Sequence, residues 1–317
     1  MARPAGRSIS AREATIADLR DEFLDRCRAK NLSVRTLEWY EDRTRRFAGW
    51  CFDSGILLAK DLATEDLEAF IRSLQNGRYR PQTVRGFAQV AKTLSLFGQR
   101  KGFLSSDITR DFEMPRVPKT VIETFSDEQL ESLLNRPDPR RWKGIRDRAL
   151  LLTLLDTMAR VSELAGINAV DVDIEGRSIR VMGKGRKERD LPLGRTTARA
   201  LQKYRNAVDG LRPDDPFFIS YRGKRLDRSV ISEMVGTYGR QAGVTGVRCS
   251  PHTLRHTGAK RFILAGGDVF TLQKLLGHTS LVMVRRYVEL GSVDVAVQHD
   301  RFSPADSLLR RPTPIRT

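Results

Sequence analysis

Cysteine and histidine are scarce in this chain of 317 residues, which has three cysteines and four histidines. Cys27, Cys51 and Cys249 form no CxxC pair, so the sequence offers neither a thiol metal site nor a disulfide framework. A sparse, odd set of cysteines is typical of a reducing compartment. We therefore expect a cytoplasmic protein whose core folds without metals or disulfides.

Long apolar segments are also missing. The longest strongly apolar run, residues 149–155, is far shorter than the roughly 20 residues that cross a bilayer. The first ten residues contain no apolar stretch of the kind found in a secretion signal. The sequence therefore predicts no membrane partner.

Acidic residues are too few to balance the basic ones: 39 Asp and Glu against 56 Lys and Arg leave a net charge of +17. Such a charge attracts polyanions, and without a membrane segment nucleic acid is the favoured partner. Many proteins are basic for no specific reason, so charge alone leaves this open. With 40% hydrophobic and 30% charged residues, the chain is not of the disordered class. Its length suggests two domains.

The N-terminal part of the chain reads as helical. Apolar residues recur at helical spacing over residues 13–30, 34–52, 65–75 and 82–101. Ser33, Thr64 and Pro81 are good helix-start residues. A proline-containing segment without helical period follows at 112–124. We predict an all-helical domain at 10–111 and a linker at 112–124.

The C-terminal part combines helices with short strands. A capping box at Ser126 and Gln129 predicts where the next domain begins. An apolar helix follows and ends at Met158-Ala159-Arg160, and then short stretches at 170–174, 178–182 and 187–193 predict a small antiparallel sheet. Helices are expected at 196–208, 229–241, 251–264, 269–276 and 281–290. We predict a mainly α chain with an α+β domain at 125–300 and a tail at 301–317.

Three of the four histidines fall close together, and a tyrosine follows nine residues after the last of them. Ser250-Pro251 is a strong helix start, and on that helix Arg255 and His256 flank His252. A helix N-terminus with a guanidinium and an imidazole favours an anion such as phosphate. His252 and His256 also have the i, i+4 spacing of a zinc pair, but Thr253 replaces the Glu of HExxH. A further alternative is that both histidines only cap and pack.

The elements that carry these residues recur in a definite order. Arg160 lies in DTMARVSEL (156–164) and Lys184 in VMGKGRKERDLPL (181–193). HTLRH (252–256), LGH (276–278) and RRY (285–287) follow. In this order the elements resemble the tyrosine recombinase (phage integrase) family, over about residues 13–300. One departure is that the family's usual Thr-Gly-Leu-Arg is Thr157-Met158-Ala159-Arg160 here.

Cutting DNA without metal or water requires a nucleophile that becomes covalently attached, and the Tyr287 hydroxyl fits this role. Arg160 and Arg255 would clamp the phosphate oxygens, because planar guanidinium groups match paired oxygens. His278 would donate a further hydrogen bond. We therefore predict a site with neither a metal nor another cofactor.

Proton transfer requires further groups. Lys184 would protonate the departing 5′ oxygen, with Lys187 as the alternative in the same hairpin. His252 would accept or orient the proton of Tyr287, and Glu163 would brace the arginine or the histidine.

The resemblance also implies the biology. It implies a C-shaped clamp around double-stranded DNA, formed by a core-binding domain and a catalytic domain. Protomers that are monomers or weak oligomers when free would assemble as a homo-tetramer on two DNA sites, near the nucleoid. Strands would be exchanged through a 3′-phosphotyrosyl link and a Holliday junction, by a mobile-element integrase or a Xer-like resolver. The alternatives are a type IB-like topoisomerase and a catalytically silent DNA-binding protein.

Overall fold

The computed structural model describes residues 13–77, 79–118, 123–183, 187–208, 210–277, 287, 299 and 303–309. The chain divides into two compact units, Met1–Thr120 and Val121–Thr317. The division falls within residues 112–124, for which the sequence predicts a linker. Phe112 is buried in the core of the first unit, and Phe125 is buried in the core of the second.

Four α-helices and one 3₁₀ turn (Ala59–Asp61) lie in the described part of the first unit; the α-helices are α1 (Ile16–Ala29), α2 (Val34–Asp53), α3 (Thr64–Asn76) and α4 (Pro81–Lys101). The Thr15 side chain accepts from the Asp18 amide and begins α1, while Ser33 caps α2 in the same way through Thr36. Gly102, at φ +79°, ends α4. The helices pack their apolar stripes around edge-to-face aromatic pairs such as Phe47 with Phe70.

The second unit begins with the predicted capping box, since the Ser126 hydroxyl accepts from the Gln129 amide and the Gln129 side chain accepts from the Ser126 amide. Its described helices are α5 (Asp127–Leu134), α6 (Trp142–Thr157), α7 (Val161–Gly166), α8 (Arg195–Ala207), α9 (Arg228–Gln241), α10 (Pro251–Leu264), α11 (Val269–Leu276) and α12 (Pro304–Leu309). Helix α6 packs against both α8 and α10, which is why it is apolar on nearly every side.

Along the chain, a three-stranded antiparallel sheet follows α7 and precedes α8. Its strands are β1 (Val172–Asp173), β2 (Ser178–Met182) and β3 (Glu188–Pro192), in the order β1-β2-β3. Ile179 pairs with Leu191 and both are buried, whereas Arg180 pairs with Asp190 and both are exposed. The sheet therefore buries one face and exposes the other.

The predicted fold class, mainly α with a small antiparallel sheet, is confirmed. The boundaries of α10 and α11 agree with the prediction, and those of α1 to α4, α8 and α9 differ by at most three residues at either end, whereas the sequence predicts neither α7 nor α12. The predicted helix at 281–290 lies outside the described residues except for Tyr287. Among the described residues, no helix is long and apolar enough to cross a membrane.

The turn between α6 and α7 has two unusual features: a left-handed residue at Met158 and a close approach between α6 and α10. Met158 ends α6 in the left-handed conformation at φ +54°, and its side chain is only 2% exposed. On the facing helix α10, a Cβ at Gly258 would overlap the carbonyl oxygen of Leu155 and press on the Met158 side chain. Helices α6 and α10 therefore approach at backbone distance, and this approach fixes the turn that leads into Arg160.

Met158 provides a test of strain against packing. Glycine at position 158 relieves about 1–2 kcal/mol of left-handed strain but removes a buried side chain worth about 2–5 kcal/mol. We expect Met158→Gly to lower the free energy of unfolding by about 2 kcal/mol, because packing outweighs strain. Urea denaturation in a Trp39→Phe/Trp50→Phe background follows the second unit alone, since Trp142 is then the only tryptophan.

The matched control is Arg177→Gly, because Arg177 also has a left-handed backbone, at φ +52°, but an exposed side chain. Its stability should stay within about 1 kcal/mol of wild type. Equal losses in the two variants would show that burial of Met158 contributes nothing.

Candidate active site

The N-terminal turns of α10 present the first group of predicted site residues. The Ser250 hydroxyl accepts from the Thr253 amide at 3.2 Å, and Pro251 occupies the first helical position. His252 is exposed and stacks edge-to-face on His256 with the ring centroids 4.1 Å apart. Loss of part of its hydration, together with nearby Arg255 and Arg160, lowers the pKa of His252 below its ordinary value of 6.5. The imidazole of His252 is therefore neutral at pH 7.

Arg160 lies directly before α7, at the end of the turn that Met158 begins. Its backbone N–H donates to Glu163 Oε2 at 2.8 Å, and its Nη1 donates to Glu163 Oε1 at 2.9 Å. The side chain of Arg160 is 39% exposed, whereas that of Glu163 is 4% exposed. A buried carboxylate therefore holds a guanidinium that solvent, or a ligand from solvent, can still reach.

Glu163 accepts hydrogen bonds from a second arginine. Arg189 Nη1 donates to Oε1 at 3.0 Å and Arg189 Nη2 donates to Oε2 at 2.9 Å, in the bidentate arrangement that guanidinium and carboxylate favour. Burial raises the pKa of Glu163, but the bonds from Arg189 and Arg160 outweigh this effect and bring the pKa below its ordinary value of 4.5. The carboxylate is therefore charged at neutral pH.

Arg255 is buried deep in the same region and is 3% exposed. Its Nη1 donates to the carbonyl of Met158 at 2.6 Å, and its Nη2 donates to the carbonyl of Leu276 at 2.8 Å. Burial and the neighbouring Arg160 lower the pKa of Arg255 to about 10. The group therefore stays protonated at pH 7 and joins the turn before Arg160 to the end of α11.

Tyr287 is buried beside this cluster. Its hydroxyl lies 2.6 Å from His256 Nδ1, and the residue is 2% exposed. The ring belongs to a small apolar cluster with Met158, Ala259, Ile263, Leu272 and Leu276. The hydroxyl therefore has an imidazole partner within hydrogen-bond reach.

The structure brings five of the seven predicted residues into one region: Arg160, Glu163, His252, Arg255 and Tyr287. Lys184 and His278 lie outside the described residues. Lys187, the alternative general acid, is described and exposed. Among the described residues, no group of three or more His, Cys, Asp or Glu side chains is arranged to hold a metal ion.

Two neighbours of the site were not in the predicted catalytic set. The sequence places His256 beside His252, either as its flank or as the second residue of a zinc pair, whereas in the structure the His256 ring contacts Tyr287. The sequence indicates Arg189 only as part of the hairpin motif, whereas in the structure Arg189 makes the bidentate contact with Glu163. The signal for Arg189 was available, because strand alternation places residue 189 on the same face as Leu191.

Comparisons with known proteins agree on one family. Residues 123–292 match the phage integrase family. The chain is 32% identical to tyrosine recombinase XerC of Roseiflexus castenholzii, covering 93% of each protein. It is 30% identical to tyrosine recombinase XerD of Pseudomonas aeruginosa, over 90% of this chain and 96% of that protein.

Solved structures are similar in fold. The Tn1549 transposon integrase in complex with circular intermediate DNA matches with a TM-score of 0.74 and 18% identity, over 91% of this chain and 99% of that one. XerH bound to a palindromic difH substrate matches with a TM-score of 0.71 and 18% identity, over 92% and 85% of the two chains.

Replacement of Glu163 tests the electrostatics of the cluster. Glu163→Gln leaves Arg160 and Arg189 without a counter-charge, and loss of one partner of a buried ion pair costs about 3 kcal/mol. We expect a loss of this size in the free energy of unfolding at pH 7. The folded-state pKa of Glu163 is lowered, so its stabilising contribution is complete above pH 4.5 and is lost as the pH falls through the lowered pKa.

The measurement is urea denaturation of the second unit, with Trp142 as the probe, from about pH 7 down to pH 3. The difference between wild type and Glu163→Gln should be constant near neutral pH and shrink below pH 4.5. Glu131→Gln, at an exposed position on α5, is the control and should match wild type throughout. A difference that grows on acidification would contradict the lowered pKa.

Proposed function

The chain belongs to the phage integrase family of tyrosine recombinases and is a site-specific recombinase, and from this premise we propose that it cuts and rejoins double-stranded DNA through Tyr287. Attack of the Tyr287 hydroxyl oxygen on phosphorus forms a 3′-phosphotyrosyl bond and releases a 5′-hydroxyl. The observation that carries the proposal is the contact between the Tyr287 hydroxyl and His256, in the same cluster as Met158 and next to Arg255.

Arg160 and Arg255 stabilise the phosphate in this proposal. Negative charge accumulates on the non-bridging oxygens in the transition state, and guanidinium groups fixed in advance stabilise that charge without reorganising. The support is that both arginines are held by partners within the protein, Arg160 by Glu163 and Arg255 by two carbonyl groups. His278 adds a hydrogen bond to the same oxygens.

Lys184 is the proposed general acid, because the 5′ oxygen leaves poorly without a proton. Lys184 lies between β2 and β3, and the Gly183 amide donates to the Lys187 carbonyl at 2.8 Å to close the hairpin at that point. Lys187 remains the alternative donor within the same hairpin.

His256 is the proposed proton acceptor for Tyr287, and His252 orients it. The reason is distance: His256 Nδ1 lies 2.6 Å from the hydroxyl, whereas His252 contacts the His256 ring. Because Tyr287 is 2% exposed, a phosphate reaches its hydroxyl only after the ring or its neighbours move.

The proposed reaction conserves the energy of the phosphodiester bond, so a partner strand's 5′-hydroxyl can reverse it without ATP. Four protomers on two DNA sites would exchange strands in this way through a Holliday junction, as a homo-tetramer in the cytoplasm. The domain at 10–111 would hold the DNA core site, and the domain at 125–300 would carry out the chemistry.

The decisive test of the chemistry is covalent capture. The substrate carries the cognate site, taken from the DNA next to the gene, and a nick close to the cleavage position. Cleavage traps the covalent complex because the short fragment that bears the released 5′-hydroxyl diffuses away. Wild type should give a protein–DNA band that survives denaturing electrophoresis, and Tyr287→Phe should give none while binding DNA equally well. No band with wild type would refute the proposal.

The same preparation separates the two alternatives. A topoisomerase of this chemistry relaxes any supercoiled plasmid, so relaxation without the site would favour that reading. A catalytically silent DNA-binding protein would shift the site in a native gel and leave no covalent band. Recombination of a plasmid with two sites, and not of one with none, supports the recombinase.

The histidines are assigned by a pH profile of single-turnover cleavage at saturating DNA. We expect His256→Ala to slow cleavage by about 10²-fold near pH 7, which is the usual size of general base catalysis. The defect should shrink towards pH 9–10, because tyrosine itself ionises with a pKa of about 10.

His252→Ala is the matched control, since it removes the same ring one helical turn away. Its defect should be smaller and should not depend on pH in the alkaline range. If the pH-dependent defect appears in His252→Ala instead, His252 is the proton acceptor.

A further inference from the structure

Arg189 is an inward-facing charge on a strand that otherwise buries apolar residues. It pairs with Val181 across the β2–β3 ladder, two residues before Leu191 on the same face. Val181 and Leu191 are buried to 1% and 0% exposure, and the Arg189 side chain is 18% exposed. A charge at such a position requires partners, because burial of an unpaired guanidinium is costly.

The partners of Arg189 come from two other elements. Its Nη1 and Nη2 donate to the Glu163 carboxylate on α7, and its Nε donates to the carbonyl of Leu275 on α11 at 3.3 Å. One planar group thus joins three parts of the second unit: the β2–β3 hairpin, the first turn of α7 and the last turn of α11.

The same guanidinium lies against two glycines. A Cβ at Gly277 would lie 3.0 Å from both Cζ and Nη1 of Arg189, and Gly277 has a left-handed backbone at φ +61°. A Cβ at Gly183 would lie 3.3 Å from Arg189 Nη1. In the sequence Gly183 directly precedes Lys184, and Gly277 directly precedes His278.

We propose that Arg189 is a positioning residue for DNA cleavage: it holds Glu163, and through it Arg160, in register with Gly183 and Gly277, which directly precede Lys184 and His278 in the sequence. The inference rests on the proposed function of these residues. Arg189 contacts no reacting atom in this proposal. It sets the relative positions of the phosphate clamp and the proton donor, and loss of such alignment lowers rate more than affinity.

The geometry explains why lysine cannot take this role. Two parallel N–H···O bonds to one carboxylate and a third bond from Nε to a carbonyl require a planar group with donors on two edges. An ammonium group keeps the charge, but its donors radiate from a single nitrogen and do not reproduce the two parallel bonds to Glu163 together with the bond to Leu275. Charge and bridging can therefore be separated by substitution.

The experiment measures single-turnover formation of the covalent complex at saturating protein, with the full-length chain and the nicked substrate. Arg189→Ala should slow cleavage on the order of 10- to 100-fold, and Arg189→Lys should be slowed nearly as much. The dissociation constant for DNA should be unchanged by either substitution.

Arg180→Ala is the matched control. Arg180 lies in the same hairpin on the opposite, exposed face, where it pairs with Asp190 at 3.5 Å. The substitution removes the same charge from the same element and should leave the single-turnover rate at the wild-type value.

A substrate with sulfur in place of the bridging 5′ oxygen separates the two routes of the effect. A thiol has a pKa near 8.5 and leaves without a proton donor. With this substrate, misplacement of the hairpin lysine therefore no longer slows cleavage by Arg189→Ala. We expect the thio substrate to restore part of the cleavage rate of Arg189→Ala. The remaining loss of rate would come from misplacement of Arg160.

A double-mutant cycle tests the route through Glu163. If Arg189 acts on Arg160 through the carboxylate, Arg189→Ala combined with Glu163→Gln should be no slower than the worse single variant with the thio substrate. Strictly additive losses would refute this route.

Four results would overturn the proposal. Arg189→Ala could cleave at the wild-type rate, Arg189→Lys could restore the full rate, or the thio substrate could fail to raise the rate of Arg189→Ala. The fourth is that the loss of rate in Arg189→Ala vanishes at a temperature where wild type and variant are equally folded. The last would make Arg189 merely structural. These failures are distinct from failure of the proposed function, in which wild type itself forms no covalent complex.

Discussion

The candidate active site depends on the ion pairs that the buried carboxylate of Glu163 forms with Arg160 and Arg189. Arg160 and Arg189 both donate hydrogen bonds to this carboxylate, and Arg255 lies close enough for an electrostatic interaction with it. Three guanidinium groups brought together would repel one another strongly in a region of low dielectric constant. One carboxylate compensates one of the three charges and fixes the geometry of two donors. The two positive charges that remain suit a phosphodiester, which carries one negative charge and gains more in its transition state.

The fold supplies this arrangement by holding backbones close together. Helix α10 approaches α6 at Gly258, where a Cβ would overlap the Leu155 carbonyl, and the Arg189 side chain lies against Gly277, whose left-handed backbone at φ +61° disfavours a side chain. Carbonyl groups at Met158, Leu275 and Leu276 are thereby brought within reach of two arginines. Both arginines, Arg189 and Arg255, thus satisfy carbonyl groups in addition to the roles proposed for them in cleavage. Loss of either arginine would leave those carbonyls unpaired, so its effect on activity would include a structural part.

Local patterns predicted the helices and strands well, because apolar spacing and capping residues are properties of neighbouring positions. Ser250-Pro251 placed the start of α10, and alternation at Ile179 and Val181 placed β2. The order of the motifs identified the family. What the sequence did not reveal was which histidine meets Tyr287, since His252 and His256 lie on adjacent edges of one helix and the choice depends on where Tyr287 packs. Burial of Arg255 was equally hidden, because its carbonyl partners come from distant segments.

Met158 is held in its left-handed conformation by packing in the same cluster as Tyr287. A movement that brings Tyr287 to a phosphorus atom therefore removes part of the support of the turn that precedes Arg160. The two events are thermodynamically linked: a ligand that favours one geometry of the turn changes the equilibrium exposure of the tyrosine, and exposure of the tyrosine changes the affinity of Arg160 for that ligand by the same factor. In the proposed reaction, the change in phosphate affinity and the change in exposure of Tyr287 then measure the same coupling free energy.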